Sequence, residues 1–296
     1  MKNKLPQLAV LLAVLALVVP FLHPSGQSAE PAAKKETAFE RVMRTRTLRC
    51  AYMLWPPHLM ADPNTKALSG KDFEIMEAIG KTANLKIEWA EEVGLGAFPE
   101  QLHSGKEDVF CVTVWQSSMR AARVDLTQAV DYSPPYAFVR DGDTRFDNNL
   151  ELLNSEQATI VVVDGSTHKS VADSSFPKAK QYTLPGDSDA SQVLMSLAMG
   201  KGDVVFADEF LVYEYNKHNP DAKLRRVAGV PPVRIYGEAF AVAKGEWELR
   251  DLLNVALGEL QGNGTIDCII SKYEVVPGAM LRVAKPYADP ARGENP

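Results

Sequence analysis

Residues 109–120 read Val109-Phe110-Cys111-Val112-Thr113-Val114-Trp115-Gln116-Ser117-Ser118-Met119-Arg120. The first seven are almost continuously apolar, the mark of a strand buried on both faces. The polar turn that follows places Arg120 just inside the next helix. Thr159–Val163 is a second run of the same kind. Between and around these runs, strand and helix signals alternate. Leu48–Met53, Lys86–Ala90, Val204–Ala207 and Ala239–Ala243 read as strands. Ser69-Gly70-Lys71-Asp72 has the form of a capping box and opens a helix with Phe73, Met76 and Ile79 on one face. Phe98–His103 is a short helix stopped by Gly105. Ser188 and Asp189 cap a helix through Met199. Glu209–Asn216 and Glu246–Gln261 are further helices, and Thr265 caps a last one to Tyr273. Alternating strands and helices around buried strands predict α/β layers on mostly parallel sheets. Two such blocks are visible, before and after about residue 135.

The chain has 296 residues, which suits about two domains, and is 46% hydrophobic and 24% charged. That composition excludes a disordered or low-complexity chain. The formal charge of −6 argues against a nucleic-acid surface. Lys2 and Lys4, the apolar stretch Leu8–Leu22 and a small polar region to Ala29 read as a secretory signal peptide over residues 1–29. The first cysteine is Cys50, too late for a lipid anchor. Residues 30–45, rich in Ala, Lys and Glu, read as a leader, and 285–296 as a disordered tail. Cys50, Cys111 and Cys268 read as buried free thiols, with a Cys50–Cys111 bridge open if their strands are neighbours.

No metal-protease, paired CxxC, Walker A or complete GxGxxG pattern is present. His58, His103, His168 and His218 have no partners at metal-ligand spacing and read as surface or loop residues, so no metal and no cofactor is expected. Open α/β sheets bind ligands beyond the carboxyl ends of their strands. Four features lie there: Trp55 at the exit of the first strand, Arg120 after Trp115, Ser166 and Thr167 in a turn that opens a helix, and Asp208 at the end of Val204–Ala207. An arginine fork holds a carboxylate, a helix N-terminus with hydroxyls adds donors, and an aspartate takes an ammonium. Together they would recognise an α-amino-acid head.

At these residues the sequence resembles the family 3 extracytoplasmic solute-binding proteins, the polar amino-acid class serving ABC importers. Gly70-Lys71-Asp72-Phe73-Glu74-Ile75 is similar to their G-F-D-v-D-l segment. Leu102-His103-Ser104-Gly105-Lys106-Glu107-Asp108 matches L-x-s-G-k-x-D. Ser117 to Asp125 matches T-x-x-R-x-x-x-V-D in spacing. Gly200-Lys201-Gly202-Asp203 through Asp208 matches G-x-x-D-a-x-x-x-D, and Gly262 to Asp267 resembles the closing d-G-T-y-d. The likeness spans about residues 47–275. It implies a type II periplasmic-binding-protein fold of two lobes, 46–135 with 238–284, and 136–237. Two segments, near Ser133–Tyr136 and Tyr236–Glu238, would join them. It implies Arg120 on a ligand carboxylate with Thr167, Asp208 on its ammonium, Trp55 as an aromatic wall, and Thr113 as a further polar contact. It also implies a monomer in the periplasm, an ABC permease as partner, hinge closure and no catalysis.

Trp115 departs from the pattern, which usually has Ser or Thr five residues before the arginine. With Tyr52, Met53 and Leu54 it points to a larger or aromatic ligand. Two other readings differ in class. One is an accessory docking protein with a changed pocket. The other is a cyclohexadienyl-dehydratase-like enzyme using Glu209 or Glu238 as general acid.

Overall fold

The computed structural model describes residues 36–283; the signal-peptide and tail segments read from the sequence lie outside them. In chain order the first half runs α1 (Ala38–Thr45), β1 (Thr47–Tyr52), β2 (Met60–Ala61), β3 (Leu68–Ser69), α2 (Lys71–Ala83), β4 (Lys86–Glu92), α3 (Phe98–Ser104), β5 (Val109–Trp115), α4 (Ser118–Ala121), β6 (Val124–Leu126) and β7 (Asp131–Ser133). The second half runs β8 (Tyr136–Arg140), β9 (Thr159–Val163), α5 (Thr167–Ser175), β10 (Lys180–Leu184), α6 (Ala190–Ala198), β11 (Val205–Ala207), α7 (Glu209–His218), β12 (Leu224–Arg226), β13 (Tyr236–Ala243), α8 (Trp247–Gly262), α9 (Thr265–Tyr273) and β14 (Leu281–Arg282).

All seven residues of β5 are buried. The reason is its place: β5 lies between β1 and β13 in a sheet ordered β14-β7-β13-β5-β1-β4, with β6 also on β13. One face packs on Ile75, Met76, Ile79, Leu253 and Leu257 of α2 and α8. The other packs on Leu59, Phe98 and Leu102. Both faces are therefore apolar, and no alternation survives in the sequence. The edge strand β4 by contrast runs mostly exposed with Ile87 and Trp89 half-buried. The second sheet joins β11, β8 and β12, while β9 pairs with β10 and, through Ile160, with Val204 beside β11.

The sheets are mixed, not mostly parallel. β1 runs parallel to β4 and β5, and β9 to β10. β13 runs antiparallel to β5, β6 and β7, and β8 antiparallel to β11 and β12. The chain leaves the first sheet after β7, passes Pro134 and Pro135, and enters the second at β8. It returns along β13, where Tyr236 pairs with Ser133 and Glu238 with Asp131. A strand that returns beside its own departure must run antiparallel to it.

Three local expectations need correction. Residues 38–45 are not leader but helix α1, closed by a Thr37/Glu40 capping box, with Val42 in the core and Arg41 bonded to Asp108. Ser69 does not cap α2; Gly70 is its N-cap, without a side-chain bond. Likewise Gly264, not Thr265, stands at the start of α9. The cysteine expectation also fails: Cys50 and Cys111 are bridged, with Cα atoms 5.4 Å apart on neighbouring strands β1 and β5, and Cys268 is an exposed free thiol.

Candidate functional site

The chain leaves β1 into a loop that closes on itself between Trp55 and Leu59 through two backbone bonds of 2.9 and 3.1 Å. The same loop caps α2. The N–H of Lys71 donates to Pro57 O at 2.9 Å and that of Asp72 to His58 O at 2.8 Å, satisfying donors that a helix start leaves open. This close approach demands glycine at position 70. Its φ is 127°, and a Cβ would stand 2.5 Å from His58 O.

His58 is thereby pushed under the end of β5. Its Nδ1 lies 2.9 Å from Thr113 Oγ1 and 3.2 Å from Asp72 Oδ2. Asp72 Oδ2 also accepts from the Thr113 N–H at 2.6 Å and its hydroxyl at 2.8 Å. Lys71 Nζ donates to both oxygens of Asp131 at 3.0 Å. Burial raises the cost of the Asp72 carboxylate, but Lys71 and His58 outweigh it and hold its pKa at about 2. These charged residues at the start of α2 are fully buried.

Arg120 sits in the four-residue helix α4, whose N-cap Ser117 accepts from the Arg120 N–H at 3.3 Å. Arg120 is 94% buried, and its guanidinium donates to the Trp115 carbonyl and lies 5.7 Å over the Phe98 ring. Among the described residues no carboxylate lies within ion-pair distance of it. Burial therefore lowers its pKa to about 10. A buried cation of this kind is costly unless something anionic reaches it.

Across the cavity stands Asp208, the N-cap of α7. It makes no capping bond of its own. One of its oxygens accepts from the Ser133 hydroxyl instead, which joins the end of β7 to the second sheet's helix. Burial raises its pKa, as it does for Glu238 on β13, which is pushed up to about 8. In the first turn of α5, Thr167 Oγ1 and His168 Nδ1 are buried without hydrogen-bond partners, and so is Glu238 Oε2. Burial, helped by Arg120, lowers the His168 pKa to about 4, so the imidazole is neutral.

Trp115 fills the middle. Its ring stacks on Tyr236 at 5.1 Å and leans on His168 at 4.6 Å. The cavity that remains is about 40 Å³, room for roughly three waters. Trp115 thus fills much of the cavity and leaves no room for a large group. We expect Trp115→Ser to shift preference toward longer ligands by at least about tenfold, on the order of 1–3 kcal/mol. Unchanged ranking of long and short ligands in a binding panel would refute this.

Arg120, Asp208, Thr167, Trp55, Thr113 and Trp115 all line this cavity. Ser166 does not. Its hydroxyl donates to Val163 O at 2.6 Å and accepts from the Lys169 N–H, so it serves as the N-cap of α5. Glu209 also lies outside, paired with Arg226 at 3.0 Å. The sequence reading missed His58 and His168, taken for surface or loop histidines; both are buried here. Nothing in their immediate neighbours signals this, because their partners come from β5, α2 and α4. A wider groove of about 1030 Å³ opens nearby, lined by Met60, Met195 and Met199 among others. The unpartnered buried atoms Thr167 Oγ1, His168 Nδ1 and Glu238 Oε2 belong to residues of the smaller cavity.

Residues 48–275 match the bacterial extracellular solute-binding proteins, family 3. A protein of Campylobacter jejuni named a probable histidine-binding protein is 24% identical over 218 residues, 70% of this chain and 77% of that one. The L-cystine-binding protein TcyA of Bacillus subtilis is 26% identical over 225 residues, 74% of this chain and 77% of that one. Among solved structures, an ancestral arginine-binding protein bound to glutamine superposes with a TM-score of 0.65 at 28% identity, over 77% of this chain and 97% of that one.

Proposed function

Since the chain belongs to the bacterial extracellular solute-binding proteins, family 3, we propose that its cavity binds a small amino-acid zwitterion between the two sheets. The observation that carries this is the buried Arg120 guanidinium, without an acidic partner among the described residues, in one cavity with Asp208 and the unpartnered Thr167 hydroxyl. Arg120 and Thr167 take the α-carboxylate, and Asp208 takes the ammonium. Trp55 and Trp115 form the walls. The small volume beside Trp115 favours a short side chain over the large or aromatic one the sequence suggested.

The two connections between the sheets, at Pro134-Pro135 and at Tyr236, act as the hinge. Ligand contacts come from both sides: His58, Thr113 and Arg120 from the first sheet's elements, Thr167, His168 and Asp208 from the second's. Closure adds the second set to the first. The closed form then delivers its ligand to an ABC permease. The relatives are named as binding proteins, and the chain acts in the same way outside the cytoplasm, exported by its first 29 residues. No helix among the described residues is long and apolar enough to cross a membrane.

A thermal-shift screen of residues 30–296 against amino acids tests the reading. Ligand at 100 times its Kd adds about 2.7 kcal/mol of stability. Arg120→Ala should weaken the best ligand by about 2–5 kcal/mol, read by calorimetric titration. A loss below about threefold, against the tenfold that each 1.4 kcal/mol represents, would remove Arg120 from the site.

A further inference from the structure

We propose that His58, Asp208 and Glu238 together hold a first-row divalent transition cation. Each offers one ligand atom, and the three atoms lie within 4.8 Å of one another. The residues come from the loop after β1, the start of α7 and the middle of β13, so no short motif announces them. Only the fold brings them together.

Three independent details point to a ligand there. Glu238 is 98% buried, lines the cavity, and its Oε2 has no hydrogen-bond partner. His58 is already engaged at Nδ1 by Thr113 and Asp72, which leaves Nε2 as the nitrogen for a further partner. A carboxylate behind an imidazole is how metal-binding histidines are oriented. Asp208 spends no oxygen on capping its helix. Lys71 offsets part of the charge of these acids, but its hydrogen bonds go to both oxygens of Asp131 at 3.0 Å and none reaches Glu238 or Asp208.

The donor set decides the class of metal. One imidazole and two carboxylates suit zinc, manganese, cobalt, nickel or iron(II). They do not suit calcium or magnesium, which favour all-oxygen shells, nor copper(I), which favours sulfur. Two carboxylates also supply the charge that a divalent cation balances. A cavity of about 40 Å³ accommodates such an ion and a water or two. The inference does not rest on the amino-acid reading; both use Asp208 and the same small cavity, so cation and zwitterion would occupy it in turn and not together.

The test uses the full mature chain, stripped with chelator and titrated with Co²⁺ alone. One equivalent should bind with visible d–d bands, and Zn²⁺ should bleach them. Glu238→Gln and His58→Gln should each weaken binding at least about tenfold, with near-UV circular dichroism confirming the fold. If His58→Gln unfolds, Asp208→Asn takes its place. His218→Ala, an exposed histidine off the site, should leave the titration unchanged. Absence of bands, or bands lost only in His218→Ala, would overturn the proposal. So would bands that persist in Glu238→Gln. Cobalt that fails to bind a protein with a clear amino-acid hit sinks this proposal alone. Cobalt binding with a flat amino-acid screen sinks only the amino-acid reading.

Discussion

Lys71→Met is expected to cost about 3–5 kcal/mol of folding stability, the usual penalty for removing one member of a buried ion pair. Lys71 is fully buried and donates to both oxygens of Asp131 at 3.0 Å, with Asp72 Oδ1 at 3.5 Å. Burial alone would lower its pKa. The carboxylates of Asp131, Asp72 and Glu238 outweigh that and hold it above the ordinary value for a lysine. Methionine keeps most of the volume but takes the ammonium away from Asp131 and leaves Asp72 with His58 alone beside it. Asp72 Oδ1 already lacks a hydrogen-bond partner. For a chain of this size the loss should lower Tm by about 10 °C. Lys71→Met combined with Asp131→Leu should recover part of the deficit, because the second change removes a stranded charge. A single-variant loss below about 1 kcal/mol, in the range of exposed pairs, would show that the pair is solvated. The pair ties α2 to β7, the strand that leads to the second sheet. We therefore expect the variant to loosen the start of the crossing to the second sheet as well as the core.

This ion pair also shows where sequence reasoning stops. Ser69-Gly70-Lys71-Asp72 satisfies the local grammar of a helix cap, and the helix does begin there. The partner of Lys71 is 60 residues further on. Local pattern carries no information about a contact of that span. The same holds for His58, which owes its place to Gly70 and its bonds to Thr113. By contrast β5 was legible because burial on both faces leaves a continuous apolar run, and α6 because Asp189 and Gln192 form a true capping box. Strands β6, β7, β11 and β12 are three residues each. They are too short for any periodicity, and of the four only β11 was read, within the apolar run Val204–Ala207; strand direction is written in none of them. Six of the residues lining the cavity were found through strand-end position and family likeness, while His58 and His168 were missed. Ser166 failed that logic because helix α5 uses its hydroxyl as a cap.

Reducing or removing the Cys50–Cys111 bridge should cost about 4 kcal/mol, the chain-entropy value for a loop of 61 residues. The two cysteines fell in apolar strands and were read as buried free thiols, with the bridge as the alternative. What decides between the readings is register. β1 and β5 are parallel neighbours, with Cys50 opposite Val109 and Ala51 opposite Phe110. That pairing brings Cys111 beside Cys50 in the centre of the sheet. An oxidising compartment is the setting in which such a bridge persists. A thiol titration of the native, unreduced protein should therefore count about one thiol per chain, the exposed Cys268. Full denaturation without reductant should leave the count at one. Cys50→Ala with Cys111→Ala should lower Tm by about 10 °C, and reductant should then have no further effect. Three thiols on denaturation would mean the bridge is not formed. An unchanged Tm in the double variant would mean that the closed loop contributes nothing beyond the packing of β1 against β5.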